Sequence, residues 1–423
     1  MSIFISVLGG LGLFLYGMNL MGAGLQKSCG EKLKGIIAAV TKNKIYAVLV
    51  GIFVTMIIQS SSATTIMTIG FVNAGFMTLA QSVGIIIGAN VGTTITAQII
   101  AFDISKYAPL VIAIGVFMWL KAKSDRKKDI AEILIGFGIL FLGMSIMTNG
   151  LAPLAQEEWF KNILVKLNNP FIGVLAGLLL TTVLQSSSAS IGLLEALGMQ
   201  GAININQAFG ILFGDNIGTT ITAIIAVIGS NTSAKRLAAS HVMFNVIGTL
   251  IFLIFLSPFS MFVAKMEQIL HLNPKMAIAF AHGSFNMMTT VLLFPFIGVL
   301  EYLVVKIIKD KKEDEEEAYK TTLDPALITA PVIALGQVKQ ELITMTGFAL
   351  KNFKTSVSYF FDMDEKLFEK VEKREEKINT VDQEITKYLA LLSKQDFGEK
   401  EGEEIAAYLD LCRDIERVGD HAH

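Results

Sequence analysis

Between Ile45 and Ile100 the chain has no Asp, Glu, Lys or Arg, and between Pro170 and Ala234 it has only Glu195 and Asp215. From Lys306 onward almost every other residue is polar or charged. Apolar runs of this length predict membrane-spanning segments, and the shift near residue 308 separates a polytopic membrane part from a hydrophilic part. Long apolar helices are expected at about 3–25, 82–102, 107–121, 130–151, 206–229, 236–257 and 276–305. Around "QSSSATT" (59–65) and "QSSSAS" (185–190) lie pairs of apolar arms of only about 13–16 residues. Each arm is shorter than the ~20 residues of a crossing, so each pair predicts a re-entrant hairpin. Amphipathic stretches precede both pairs. Leu33, Ile36, Ile37 and Val40 share one helical face, as do Phe160, Ile163, Leu164 and Leu167. That period suits helices lying in the membrane interface.

The pattern occurs twice. The Gln-Ser-Ser-Ser clusters are 126 residues apart, and "GANVGTTITA" (88–97) and "GDNIGTTITA" (214–223) have the same separation. Gly17-Met18 aligns with Gly143-Met144, Gly51 with Gly177, Gly75 with Gly201 and Gln81 with Gln207. One offset over such a length marks a duplication. Three crossings per unit is an odd number, so the second unit enters the membrane upside down, as inverted repeats do. Charge orients the result. One side receives Lys27, Lys32, Lys34, Lys42, Lys44, Lys121, Lys123, Arg126, Lys127, Lys128, Lys235 and Arg236. The other side receives Lys106, Lys161, Lys166, Lys265 and Lys275. The positive-inside rule makes the first side cytoplasmic, which places the N-terminus outside and the hydrophilic C-terminal part inside. The expected fold is an all-α, multi-pass protein of the cell (inner) membrane with re-entrant hairpins and broken helices. Its divisions are repeat 1 at 1–128, repeat 2 at 129–257, a final membrane region at 258–308, a charged linker at 309–329 and a C-terminal helical bundle at 330–423.

Composition adds exclusions. Charged residues make up 17% of the chain, against roughly 25% in soluble domains. A net charge of −2 and the lack of a basic face argue against a nucleic-acid partner. Cys29 and Cys412 fall in segments expected in the cytosol, where a disulfide is not expected. The apolar start has no basic n-region and reads as a first spanning helix instead of a signal peptide.

Polar groups at membrane depth survive only when buried in protein or lining a wet cavity. After each serine cluster an apolar helix resumes, so the serines mark the start of a half-helix with free backbone N–H groups and a positive dipole end. Such a terminus is an oxyanion site, to which Gln59 and Gln185 add amides. A lone serine in a membrane helix usually bonds its own backbone, but a duplicated pattern calls for more. No G-x-S-x-G elbow or local base accompanies these serines, so no hydrolase and no other enzyme is expected. Asn90, Thr93 and Thr94 in the first Gly-Asn motif, and Asp215, Asn216, Thr219 and Thr220 in the second, read as helix breaks whose oxygens can surround Na⁺. A multiply charged anion in a core without Arg or Lys needs co-bound cations, which is a physical reason for coupling. Glu195 is open between a functional role and a place near the outer mouth. His241 with Asn245, and His282 with Asn286, are each one helical turn apart and read as interhelix hydrogen-bonding residues.

The duplicated "QSSSA" and "GxNxGTT" motifs, followed by "AHGSFN", resemble the sodium–phosphate cotransporter type II family over residues 1 to about 305. The segments "EEKINTVDQEITKYL" (375–389) and "DIERVGDHA" (414–422) resemble helices of a PhoU-like domain, after a joining segment at 323–342. The resemblance implies Na⁺-coupled movement of inorganic phosphate, hairpin tips that meet centrally, and often homodimers. By residue match, Gln59, Ser60, Ser61, Ser62, Gln185, Ser186, Ser187 and Ser188 would face phosphate, with no cofactor beyond Na⁺ as coupling ion. Asp215 stands where vertebrate members commonly have a small residue, which leaves Na⁺ and H⁺ both open there. PhoU-like domains usually hold two three-helix units, so the tail to His423 reads as truncated. Asp410, Asp414, Glu416 and Asp420 are similar to the family's metal-binding acids, and equally fit a solvated helix face. Other readings are a different oxyanion (sulfate or a dicarboxylate), a membrane-bound phosphate sensor signalling through the tail, and a passive anion channel.

Overall fold

The computed structural model describes residues 2–38, 43–73, 77–102, 104–228, 230–309, 319, 321, 323, 328, 331–394 and 399–423. Val40 and most of the charged linker lie outside these residues, as do the side chains of Cys29, Leu33, Ile36 and Ile37.

The stretch expected as the first repeat forms α1 (Ser2–Ala38), α2 (Lys44–Ile58), α3 (Ser61–Asn73), α4 (Leu79–Ala101) and α5 (Ala108–Lys121). The stretch expected as the second forms α6 (Asp125–Leu154), α7 (Glu158–Val165), α8 (Pro170–Leu184), α9 (Ser187–Met199), α10 (Ile205–Gly218), α11 (Ile221–Ala226) and α12 (Thr232–Ile254). An amphipathic α13 (Leu256–Leu270), not expected from the sequence, leads into α14 (Pro274–Leu293) and α15 (Ile297–Ile307). Among the described residues, six stretches are long and apolar enough to cross a membrane: Ile3–Ser28, Leu79–Ala101, Asp125–Leu154, Ile205–Ala226, Thr232–Ile254 and Pro274–Ile307. The seventh expected crossing, α5, has 14 residues. At 1.5 Å per residue it reaches about 21 Å, short of a ~30 Å hydrocarbon core. The amphipathic stretch with Phe160 and Leu164 forms α7, and the helical segment through Asn168 meets α8 at 111°.

Both arm pairs are built alike. Asn43 caps α2 by accepting from Ile45 N (2.9 Å), and Asn169 caps α8 by accepting from Phe171 N (3.0 Å). The arms α2 and α8 have 15 residues each, and α3 and α9 have 13. Glycines bring each first arm against the following long helix at backbone distance. A Cβ on Gly51 would overlap the Ile85 carbonyl oxygen, and one on Gly177 the Ile211 oxygen. Gly88 and Gly214 meet Val48 and Val174 in the same way. The helices α1 and α6 also touch through glycines. A Cβ on Gly17 would stand 2.6 Å from the Gly136 oxygen, and one on Gly143 would stand 2.7 Å from the Gly10 oxygen. Partner numbers fall along α6 as they rise along α1, so these corresponding helices run antiparallel.

Among the described residues, two apolar clusters hold membrane helices together. Phe14, Met18 and Met21 of α1 pack with Phe141, Met144 and Met147 of α6. Phe209, Phe213, Phe252, Phe259 and Phe285 form an aromatic cluster joining α10, α12, α13 and α14. The chain divides into two compact units, the second made of Lys306–His423 with the short stretches Ile69–Thr78 and Gly229–Lys235. In that second unit α16 (Pro331–Asp362), α17 (Glu365–Leu392) and α18 (Glu399–Ala422) pack around their own core. Leu335, Val338, Leu342 and Met345 meet Ile378, Val381, Ile385 and Leu389 there, with Cys412 and Ile415 of α18. The three-to-four spacing is that of helices sharing one apolar seam.

Candidate functional site

One cavity of about 410 Å³ is lined by both serine clusters. Residues 58–63 form one wall and 184–188 another; Thr93 adds to the lining, and α1 supplies Leu15, Met18, Asn19, Gly22, Ala23 and Gln26. Among the described residues, no Asp, Glu, Lys, Arg or His lines it.

The two tips turn by the same device. Gln59 ends α2 with φ of 59°, and Gln185 ends α8 with φ of 51°, both in the left-handed region. Their backbone N–H groups donate to Thr55 O and Thr181 O, each at 2.7 Å. The next residue caps the returning helix. Ser60 Oγ accepts from Ala63 N (3.1 Å), and Ser186 Oγ accepts from Ala189 N (3.3 Å). The reversal therefore takes two residues, and Ser61, Ser62, Ser187 and Ser188 fall in the first turns of α3 and α9. First-turn amides have no carbonyl four residues back, so two positive helix ends reach the same cavity. Such an end can hold an oxyanion without a fixed charge.

Beyond this framework the tips differ. Gln59 is buried; its Oε1 accepts from Thr96 Oγ1 (2.8 Å) and its Nε2 donates to Met56 O. Gln185 is exposed. Ser62 Oγ accepts from Thr222 Oγ1 of the second repeat (3.1 Å).

The second motif differs from expectation in the first repeat. In place of a break, α4 runs continuously through residues 88–94, because Gly88 and Gly92 serve close packing on α2. In the second repeat the helix is interrupted at Thr219 and Thr220, between α10 and α11. The threonine hydroxyls donate back to their own helices: Thr93 to Ala89 O (3.1 Å), Thr94 to Val91 O (2.7 Å), Thr219 to Asp215 O (2.9 Å) and Thr220 to Ile217 O (2.7 Å). Of the cation candidates, only Thr93 lines the cavity. Asn90 donates to Asn245 Oδ1 (3.2 Å) and accepts from His241 Nε2 (3.2 Å), so α12 holds it across the repeat boundary. Asn216 donates to Leu212 O (2.8 Å). Asp215 is buried; its Oδ1 accepts from Thr181, while Oδ2 has no protein partner among the described residues. Asn286 bonds back to His282 O (3.1 Å). Asn19 and Gln26 escaped the sequence reading, although two polar residues seven apart on an apolar helix share a face.

In the C-terminal unit no three His, Cys, Asp or Glu side chains converge to hold a metal, among the described residues. Glu375 is buried beside Asn352 (3.5 Å). Burial first, and then Asp420, push its carboxyl up to about 7. Cys412 is buried and donates to Asp382 Oδ1 (3.3 Å); burial, and then that carboxylate, raise its thiol.

This is a multi-pass helical membrane protein with two polar helix-to-helix turns lining one cavity, and the comparisons give its family. The chain belongs to the Na⁺/Pi-cotransporter family, whose model matches it twice, at residues 13–149 and 142–312. A PhoU domain model matches residues 342–423. The chain is 26% identical over 415 residues to "Putative inorganic phosphate export protein YjbB" of Escherichia coli (strain K12), covering 98% of this chain and 76% of that one. It is 32% identical over 301 residues to "Uncharacterized protein YqeW" of Bacillus subtilis (strain 168), covering 70% of this chain and 96% of that one. Over 97 residues it is 32% identical to "Sodium-dependent phosphate transport protein 2A" of Rattus norvegicus, 22% of this chain and 15% of that one. No solved structure matches the chain.

Proposed function

We propose that this protein is a secondary active transporter that couples Na⁺ to inorganic phosphate by alternating access, with the two Gln-Ser-Ser-Ser tips as its central site. The observation that carries this reading is the shared cavity, which both serine clusters line and whose lining, among the described residues, holds no charged side chain. Phosphate would be held by first-turn amides and the hydroxyls of Ser61, Ser62, Ser187 and Ser188, with Gln59, Ser60, Gln185 and Ser186 framing them. Na⁺, as cargo, would bind near Asp215 and the Asn and Thr oxygens of both Gly-Asn motifs, offsetting the anion's charge. The antiparallel α1 and α6 support inverted repeats, divided as 1–128 and 129–257. The lysine asymmetry supports a cytoplasmic C-terminal unit.

Labelled phosphate uptake into proteoliposomes, with and without an inward Na⁺ gradient, tests the reading. Stimulation by Na⁺ is expected; uptake indifferent to Na⁺ would overturn the coupling. Excess sulfate should not compete. YjbB is named for export, so efflux from loaded vesicles belongs in the same assay. The PhoU match favours a second reading, a phosphate sensor. A sensor would bind phosphate and carry none.

A further inference from the structure

Glu195 is a buried acid that the transport reading leaves unused. It lies in α9, the returning arm of the second hairpin, seven residues beyond Ser188 and so on the same helix face. The side chain is fully buried, and neither carboxyl oxygen has a hydrogen-bond partner among the described residues. One turn further on, α9 touches the first turn of α14: a Cβ on Gly198 would meet Ile278 Cδ1 at 2.7 Å and Pro274 Cβ at 3.8 Å. Lys275 follows Pro274 at that contact and is itself buried. The other elements packed on α9 are α1, α4, α6, α8 and α10. Of these, α4 and α8 carry no titratable side chain, and the charged residues of α1 and α6 lie at 27–34 and 125–132. Asp215 of α10 is bonded to Thr181, and α14 also carries His282.

A carboxylate withdrawn from water needs hydrogen bonds or a cation. A metal ion would call for a shell of several oxygens, whereas Ile191, Leu194 and Ile278 belong to an apolar cluster. A proton needs one oxygen. We propose that Glu195 is a proton-binding site, protonated in this conformation and deprotonated when α9 and α14 bring Lys275 close enough to pair with it. The proton passes to or from bulk water, and Lys275 is the cation that competes with it. Because α9 is a hairpin arm, the position of the hairpin decides which of the two holds the carboxylate. The site itself is independent of the transport reading; its consequence, a proton bound and released in each cycle, rests on that reading.

Infrared spectra of the full chain in liposomes, titrated in pH, read a protonated carboxyl directly and need no phosphate flux. The expected result is a carboxyl band that Glu195→Gln removes. Lys275→Met should move the midpoint of that band upward by about one pH unit or more, since the charged form loses its partner. Absence of a band that depends on Glu195, or an unmoved midpoint in Lys275→Met, would overturn the proposal. Phosphate uptake against pH then reads the consequence. Phosphate titrates identically in both assays, so a difference between wild type and Glu195→Gln belongs to the protein. A flattened profile in the variant supports a proton in the cycle, and superimposable profiles overturn it. A band without Na⁺-driven uptake in wild type would sink the transport reading and leave the proton site standing.

Discussion

Gln59 and Gln185 occupy the same left-handed position in their hairpins, yet Gln59 is buried against Thr96 and Gln185 is exposed. The contrast continues in the motifs behind them. Thr55 of the first repeat bonds Thr64 (2.9 Å), while its counterpart Thr181 bonds Asp215. Asn90 is held by His241 and Asn245, while Asn216 bonds back to its own helix at Leu212 O. Duplication supplied the backbone frame twice: caps, turns and glycine contacts. The side chains then diverged, so that the Gly-Asn motif of the first repeat is uncharged and braced by α12, and that of the second carries Asp215. Equal backbones with unequal side chains separate what builds a hairpin from what tunes it.

That separation can be broken at several strengths. Gly88→Val and Gly214→Val each drive a side chain into a backbone carbonyl. Each should cost about 1–3 kcal/mol or more, seen as lower melting temperature and yield in detergent. Equal losses would support an equivalent frame, and tolerance of either would break it. Asp215→Asn keeps the shape and removes the charge. Na⁺ affinity for uptake should fall ~10–100-fold, as for loss of a charged interaction of about 1.5–3 kcal/mol. Asn90→Ala should change it less, and an equal change would mean that the repeats share the cation duty. Ser61→Ala and Ser187→Ala each remove one neutral hydrogen bond of about 1 kcal/mol. Phosphate affinity by calorimetry should drop roughly fivefold in each, and unchanged binding in both would count against the paired tips.

The smallest effect lies in the C-terminal unit. Because the folded pKa of Glu375 is raised from an ordinary 4.5 to about 7, it stabilises the fold fully below pH 4.5, and that stability is lost as pH rises through 7. Amide exchange in α16–α18 of the full chain should therefore quicken from pH 5 to pH 8, after correction for intrinsic rates. Glu375→Gln should flatten the change.

Much of this architecture was legible in the residue pattern. Arms too short to cross and a constant offset of 126 stand in the order of residues itself, so sequence carries them; the caps at Asn43 and Asn169 are as local but were found in the structure. The break expected at residues 88–94 was misplaced because glycine in a membrane helix can either open the helix or let a neighbour approach, and composition does not distinguish these. Here Gly88 and Gly92 lie against α2. The lining role of Asn19 and Gln26 depended on how α1 faces the tips, which is a tertiary fact. So did the clasp on Asn90, whose partners His241 and Asn245 come from some 150 residues away.

That clasp has a consequence for the cycle. A carrier made of identical inverted halves would have mirror-image end states of equal free energy and would spend equal time open to each side. Here one half is fastened to α12 through Asn90, and among the described residues Asn216 makes no such bond to a neighbouring helix. On the transport reading proposed above, the degeneracy is lifted and the carrier has a resting posture. Gradients still set the net direction of flow. Half-saturation for phosphate should nevertheless differ between the two faces of the membrane, and loosening the clasp with His241→Ala should bring the two values together.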